Sequence, residues 1–385
     1  MHKVLVVHNT YRHRGGEDSV VESEVALLRS HGHEVHDYRR HNDEADAARP
    51  LALAAQALWS RRTVDEVGAV LAFERPDIVH VHNTLPLVSP SVYWACAHAG
   101  IPVVQTLHNF RLACPQAMFL REGRVCERCL GRAPWPAVVH GCYRESRAQT
   151  AVVAATVGLH RMLGTWRHKI ARYIALNEFC RDKFIEAGLP SDRVVVKPNF
   201  VDAPPSAPAR PREGFLYVGR LSAEKGITVL LDAAQQAGNP GVRVVGSGPE
   251  ADRVQGSPGV VGVGALPAAA VLQEMCAARA LVIPSIWYEN HPRTLVEAYA
   301  CGTPVIASRL GALATLVDEG RTGLLFDAGD AADLARVLRW ANEHRGKMAE
   351  MGRQARAVYD AEYTPERGYD RLVAVYDDAR AAWAG

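Results

Sequence analysis

The chain has 385 residues, 48% of them apolar, with 44 Lys+Arg against 42 Asp+Glu and a formal net charge of +2. That length suggests two domains of roughly 100–200 residues each, and the apolar fraction suffices for two ordinary cores. The even charge balance argues against a nucleic-acid binder, and no run reaches the roughly 18 apolar residues that a membrane span needs.

The first residues, MHKVLVV, read as a β-strand, because a polar, glycine-bearing loop follows after only four apolar residues. A secretory leader needs a longer apolar stretch and a small-residue cleavage site. The expected location is therefore cytoplasmic, with peripheral contact at the inner face of a membrane left open. Short apolar runs at 4–7, 78–81, 101–107, 173–176 and 194–196 predict strands in the first half. Runs at 215–218, 242–245, 260–263, 280–283, 305–307 and 324–326 do so in the second. Helical spacing, as at 22–30 and 230–237, fills most of the intervals. Continuous apolar strands alternating with helices predict an α/β protein with parallel sheets covered on both faces.

The proline-rich stretch 201–213, VDAPPSAPARPRE, lacks periodicity and is expected to be an interdomain linker. It separates a first domain over 1–200 from a second over 214–364. Thr364-Pro365-Glu366 is a helix start, with Thr as N-cap and Pro at the first helical position.

The carboxyl ends of these strands carry His8-Asn9, His82-Asn83, His108-Asn109, Asn177, Asn199, Gly219-Arg220, Gly246-Ser247-Gly248 and Ser285. Ligands of open parallel sheets bind beyond such ends. Any one of these sites is ordinary turn composition, but the same pattern in both halves points to a shared ligand cleft.

Two segments carry the chemistry. In Tyr217-Val-Gly219-Arg220-Leu-Ser-Ala-Glu-Lys225-Gly226, a buried strand ends at a glycine and two cations follow in one loop. Fixed cations stabilise the growing charge of a departing diphosphate without a metal. In Ser285-Ile-Trp-Tyr-Glu289-Asn-His-Pro-Arg-Thr-Leu-Val-Glu297, a strand runs into a loop and Pro292 opens a helix. The amides of Arg293, Thr294 and Leu295 then lie in its first turn, where anions bind. Glu297 shares a helix face with Arg293 and Thr294. One carboxylate can thus reach sugar hydroxyls and the other a ribose.

The stretch YVGRLSAEKG, the E-x7-E pair Glu289/Glu297 and the following EAYACGTPVIAS resemble the retaining GT-B glycosyltransferases of family 4. The likeness extends over nearly the whole chain. It implies a GT-B fold of two Rossmann-like domains, a nucleotide-diphosphate sugar as donor substrate and no catalytic metal. The implied acceptor is a glycan, a lipid-linked molecule or a small molecule. By position Gly219, Arg220 and Lys225 would hold the diphosphate, with Asn199 also on the donor side. Glu289 and the backbone of Asn290 and His291 would meet the sugar. Thr294 and Leu295 would offer amides to phosphate, and Glu297 would bind ribose. Gly246-Ser247-Gly248-Pro249 matches a loop usually written GDGP; Ser247 stands where Asp is common, so no side-chain contact is implied there.

The resemblance also gives Gly15-Gly16-Glu17 a role toward donor phosphates or acceptor. It places His108 near the sugar's C6 hydroxyl and the last helix, about 365–383, back on the first domain. His82 and Asn83 are weaker acceptor-side candidates. No nucleophile is evident, so the expected mechanism is front-face substitution through an oxocarbenium-like state, with His108, Arg220, Lys225 and Glu289 as catalytic residues.

Cys114, Cys126, Cys129 and Cys142 lie in a Gly-, Pro- and Arg-bearing insert, 111–143. The spacing fits a structural four-thiolate zinc site, four reduced thiols, or another cluster or disulfides. Two apolar stretches, 51–59 and 151–163, each followed by basic residues, read as interfacial or as ordinary buried helices. Rival functions are a GT-B nucleotide-sugar 2-epimerase and a zinc-containing sugar-nucleotide-binding module without turnover. A nicotinamide dehydrogenase is disfavoured because the first loop lacks G-x-G-x-x-G.

Overall fold

The computed structural model describes residues 1–12, 15–45, 49–204 and 212–383. The chain divides into two compact units. One comprises Met1–Phe119, Glu127–Pro198 and the chain from Gly368 onward; the other comprises Leu120–Cys126 and Asn199–Arg367. Most of the expected linker, 205–211, lies outside the described residues.

The first unit contains β1 (Lys3–Thr10), β2 (Glu34–His41), β3 (Ile78–Asn83) and β4 (Val103–Thr106). A two-residue-stranded hairpin follows, β5 (Leu120–Arg121) and β6 (Arg124–Val125), which falls with the second unit. β7 (Arg172–Ala175) and β8 (Val194–Val196) complete the first sheet, whose order is β2-β1-β3-β4-β7-β8 with every pair parallel. β1 and β3 bury every interior residue, as strands covered on both faces must. β2 is an edge strand, EVHDYRRH, with a mostly polar, partly exposed pattern. No apolar run announces it, which is why the sequence reading lacks it.

The second unit contains β9 (Glu213–Val218), β10 (Val242–Val245), β11 (Val260–Gly264), β12 (Ala278–Ile283), β13 (Val305–Ser308) and β14 (Gly323–Phe326). Their order is β11-β10-β9-β12-β13-β14, again all parallel. One side of this sheet packs Leu216, Leu281, Val296 and Tyr299; the other packs Phe215, Leu230, Val282 and Leu338. Each such side chain, fully removed from water, contributes about 1.5–3 kcal/mol.

Strand order decides where ligands can enter. Loops that leave neighbouring strands in opposite directions open a crevice at the switch point. In the first sheet that point lies between β1 and β3, and in the second between β9 and β12.

The helix Pro365–Ala382 belongs largely to the first unit. Its Tyr376 is fully buried, and its hydroxyl bonds His80 Nδ1 at 2.7 Å. Tyr369 meets His33 at 2.9 Å, and Asp378 pairs with Arg172.

Beneath the first sheet's strand ends, Lys197 is completely buried and its Nζ donates to Glu24 Oε1 at 2.5 Å. Removing one partner of such a pair strands the other charge. Lys197→Met should therefore cost about 3–5 kcal/mol. The double variant Lys197→Met/Glu24→Leu should recover most of it. Denaturant unfolding checks this, and an unshifted midpoint in the single variant contradicts it.

Candidate active site

At the second switch point, the loop after β9 and the loop after β12 lie backbone against backbone: Ile286 N donates to Glu224 O at 3.0 Å. Gly226 sits in the left-handed region (φ 69°), and a Cβ there would lie 1.8 Å from Pro284 O. No other residue fits. The loop after β10 closes in on the same segment. Leu221 N donates to Ser247 O at 2.9 Å, and a Cβ on Gly246 would lie 1.8 Å from Gly219 O. Gly226, Gly246 and Gly248 thus let three strand-end loops stack closely.

This stacking brings Glu289 and Lys225 together. Glu289 is buried, and its Oε1 accepts from Lys225 Nζ at 2.7 Å, Ser285 Oγ at 2.6 Å and Trp287 Nε1 at 3.0 Å. Oε2 makes no hydrogen bond among the described residues. The carboxylate is therefore fixed through one oxygen while the other remains available. Lys225 Nζ also lies 5.0 Å from the Trp287 ring centroid, within cation–π range. Arg220 pairs with Glu224 and donates from Nε to Ser222 Oγ at 3.2 Å, with its side chain 62% exposed. Both loop cations thus rest on carboxylates.

The helix Arg293–Ala300 begins one residue later than expected, with Pro292 in the cap position and no side-chain cap. Leu295 N donates to Pro292 O at 3.0 Å, so its amide is engaged within the first turn. Arg293 Nε donates to Glu297 Oε1 at 3.1 Å. Burial pushes the Glu297 carboxyl up, and Arg293 opposes that. Asn290 and His291 are buried, and Asn199 Nδ2 donates to His291 O at 3.1 Å, fastening this loop.

At the first switch point, Gly15 caps the helix Gly16–Ser30, and its amide donates to Asp18 Oδ2 at 2.8 Å. Asp18 Oδ1 meets His8 Nε2 at 2.8 Å. Burial would raise the Asp18 carboxyl, but the bonds from His8, Gly15 and Tyr11 outweigh it and hold it low. A Cβ on Gly16 would meet nothing within 4 Å, so local packing does not demand a glycine there. Asn9 and Asn83 fasten the adjoining loops: Leu87 N donates to Asn9 Oδ1 at 2.9 Å, and Asn83 Nδ2 donates to Asn9 O at 3.1 Å. Beyond β4, His108 Nε2 meets His82 Nδ1 at 2.9 Å. His82, Thr106, His108, Asn109 and Arg111 line one small cavity of about 40 Å³.

Residues 14–203 match the family described as Glycosyltransferase Family 4, and residues 212–343 match Glycosyl transferases group 1. The chain belongs to the family 4 glycosyltransferases. A phosphatidyl-myo-inositol mannosyltransferase of Mycobacterium leprae is 36% identical over 198 residues, covering 46% of this chain and 51% of that protein. A D-inositol 3-phosphate glycosyltransferase of Acidothermus cellulolyticus is 29% identical over 345 residues, covering 79% and 68%. The chain thus spans about half the length of the first relative. Sucrose-phosphate synthase of Thermosynechococcus elongatus superposes with a TM-score of 0.72 at 20% identity, covering 99% and 100%. HepE of Anabaena in complex with UDP-glucose does so with a TM-score of 0.67 at 18% identity, covering 98% and 100%. At such identities these two speak for the GT-B fold alone.

Several side chains around these residues are not among the sequence-derived candidates. Trp287 holds Glu289 together with Ser285, which the sequence marks only as a strand end, and Glu24, His80 and Lys197 underlie His82. One signal was readable: His80 and His82, two apart on β3, share a face. Cys126 falls with the second unit, and Cys114, Cys129 and Cys142 with the first. Two groups of three ligand-type side chains lie within 4.8 Å among the described residues, Glu24/His80/His82 and Glu34/His36/Glu74. Neither contains a cysteine.

Glu17, beside the glycine loop, offers a pH test. Burial pushes its carboxyl up to about 8; the Tyr11 bond opposes this, Asp18 adds to it and Arg111 counters it. A raised folded-state value means stability is full below the unfolded value near 4.5 and is lost as pH climbs to about 8. The stability advantage of Glu17→Gln over wild type should therefore grow across that window, by the order of a few kcal/mol. Denaturant unfolding at both ends reads it, and a pH-independent difference contradicts it.

Proposed function

We propose that this glycosyltransferase moves a sugar, with retention, from a nucleotide-diphosphate donor to a hydroxyl of a glycan, lipid-linked or small-molecule acceptor. The observation that carries the proposal is the Lys225–Glu289–Ser285–Trp287 cluster at the second switch point, with Arg220 beside it. Two cations held on carboxylates are a ready exchange site for a dianionic leaving group. As the glycosidic bond lengthens, charge grows on the diphosphate and the cations stabilise it more than the ground state. Glu289 keeps its position through Ser285 and Trp287 when Lys225 turns to phosphate, leaving Oε2 for sugar hydroxyls. The first-turn amides of Arg293 and Thr294 add fixed positive dipole ends. Glu297 takes the ribose, and His108 takes the polar contact to the sugar that the family likeness implies. The departing phosphate accepts the acceptor's proton, consistent with the lack of a candidate nucleophile.

Gly16 supports close ligand approach at the first switch point, since the fold itself leaves room for a Cβ there. The relatives named for phosphatidyl-myo-inositol and inositol 3-phosphate favour a polyol acceptor, free or lipid-borne. The uncharged helix Pro50–Leu58, which buries only Ala57 and leaves Leu51 86% exposed, supports peripheral contact with a membrane carrying such an acceptor. No described helix is long and apolar enough to cross a membrane. The epimerase reading is less favoured, since the matched family models and relatives are named for glycosyl transfer.

Thermal-shift screening of UDP-, GDP-, ADP- and dTDP-sugars identifies the donor, since a ligand of the folded state raises the midpoint. With that donor, Arg220→Ala should lower kcat/KM for transfer by roughly 10²–10³-fold with the unfolding midpoint unchanged. Wild-type turnover in that variant would break the assignment.

A further inference from the structure

We infer that Glu24, acting through His82, fixes His108 in one tautomer, with its proton on Nε2 and a bare Nδ1 that accepts a hydrogen bond from a ligand hydroxyl. The inference rests on the reading above, which places His108 against the transferred sugar. It goes further in naming which hydrogen-bonding role the ring plays and which residues impose it.

The imposing residues form a buried line. His82 Nδ1 and His108 Nε2 are 2.9 Å apart, so one proton lies between them. At the far side of the ring, His82 Nε2 lies 3.8 Å from Glu24 Oε2. Both of those atoms are buried and without a hydrogen-bond partner among the described residues. Glu24 Oε1 carries the Lys197 ammonium at 2.5 Å, so the group facing His82 is half of an ion pair.

Each ring carries a single proton. Burial pushes His82 and His108 well below the usual histidine value, and their histidine neighbours and Lys197 add to it. Asp18 acts the other way on His108. His8 and His80 are the other rings packed against this pair, edge-on to His82 at 6.2 Å and tilted at 4.1 Å. His80 is itself occupied, by Tyr376 at 2.7 Å and Thr106 at 2.8 Å.

Two arrangements remain. If His82 donates from Nδ1, its bare Nε2 lone pair faces the Glu24 carboxylate in a dry site, which is repulsive. If His82 carries its proton on Nε2, N–H faces carboxylate, which is attractive, and Nδ1 must accept from His108. In buried surroundings that electrostatic difference is large. The second arrangement wins, and the ring nitrogen carrying the proton is set by the bond the other makes. His108 Nδ1 is then a bare acceptor; it makes no hydrogen bond among the described residues, and the ring is half-buried on the wall of the cavity with Asn109 and Arg111. A hydroxyl satisfies such a nitrogen. A carbonyl or fluorine cannot, and the Arg111 cation on the same wall disfavours an ammonium. Glu24 and His82 are positioning residues in this account.

The test is a two-bond ¹H–¹⁵N correlation spectrum of the full-length protein labelled with ¹⁵N-histidine, assigned with His82→Asn and His108→Asn. The expected spectrum shows His108 neutral, protonated at Nε2 and pyridine-like at Nδ1. A proton mainly on Nδ1, or a charged ring at neutral pH, overturns the inference. In Glu24→Gln the carboxylate is lost at constant shape, and the His108 tautomer ratio should fall by roughly tenfold or more. An unchanged ratio in a folded Glu24→Gln protein also overturns it, and the wild-type spectrum decides alone should that variant fail to fold. None of these readings needs turnover, so they stay distinct from a failure of the transferase assignment, which the Arg220→Ala assay reports.

Discussion

A carboxylate oxygen in a nearly dry place requires several donors at once, and the strand-end loops of the second unit supply them. Glu289 meets it with an ammonium, a hydroxyl and an indole N–H, all on one oxygen. Those donors come from two loops, so the loops must approach to backbone contact, and Gly226 makes that approach sterically possible. The loops in turn must leave adjacent strands, which the order β10-β9-β12 provides. Local chemistry, glycine placement and topology thus answer one demand. Both loop cations are held by carboxylates, Lys225 by Glu289 and Arg220 by Glu224, and under the proposed function a phosphate replaces each carboxylate.

The first unit solves a related problem with different parts. Its strand ends hold a row of imidazoles rather than a cation pair. A row of neutral rings has ambiguous protons unless something charged orients it. The Lys197–Glu24 ion pair, buried beneath the row, supplies that direction. Buried ion pairs contribute little net stability, so its presence here is better explained by orientation than by stability. Tyr376, arriving from the last helix, closes the same network through His80.

Much of this was legible in the sequence, for identifiable reasons. Strands buried on both faces must be continuously apolar, so the runs at β1, β3, β9, β12 and β13 announced themselves. The polar edge strand β2 obeys no such constraint and was silent. Glycine and charge at strand ends flagged Arg220, Lys225 and Glu289, because a phosphate site needs cations and close backbone. Ser285 and Trp287, which hold Glu289, carry no charge to mark them, and their role depends on loop geometry. The first-turn amide of Leu295 illustrates the same limit. Sequence locates a helix start to within a residue, but which amide closes the turn depends on the cap, and here Leu295 bonds Pro292. Glu24 and Lys197 are 173 positions apart, so only the folded chain could join them.

The most direct measurement is a crystal structure of the protein with the nucleoside diphosphate that its thermal-shift profile selects. The β-phosphate should lie within about 3 Å of Lys225 Nζ and the first-turn amides of Arg293 and Thr294. The Arg220 guanidinium should then be turned from Glu224 toward the same phosphate. A diphosphate bound elsewhere, with Lys225 still seated on Glu289 and Arg220 on Glu224, would contradict it.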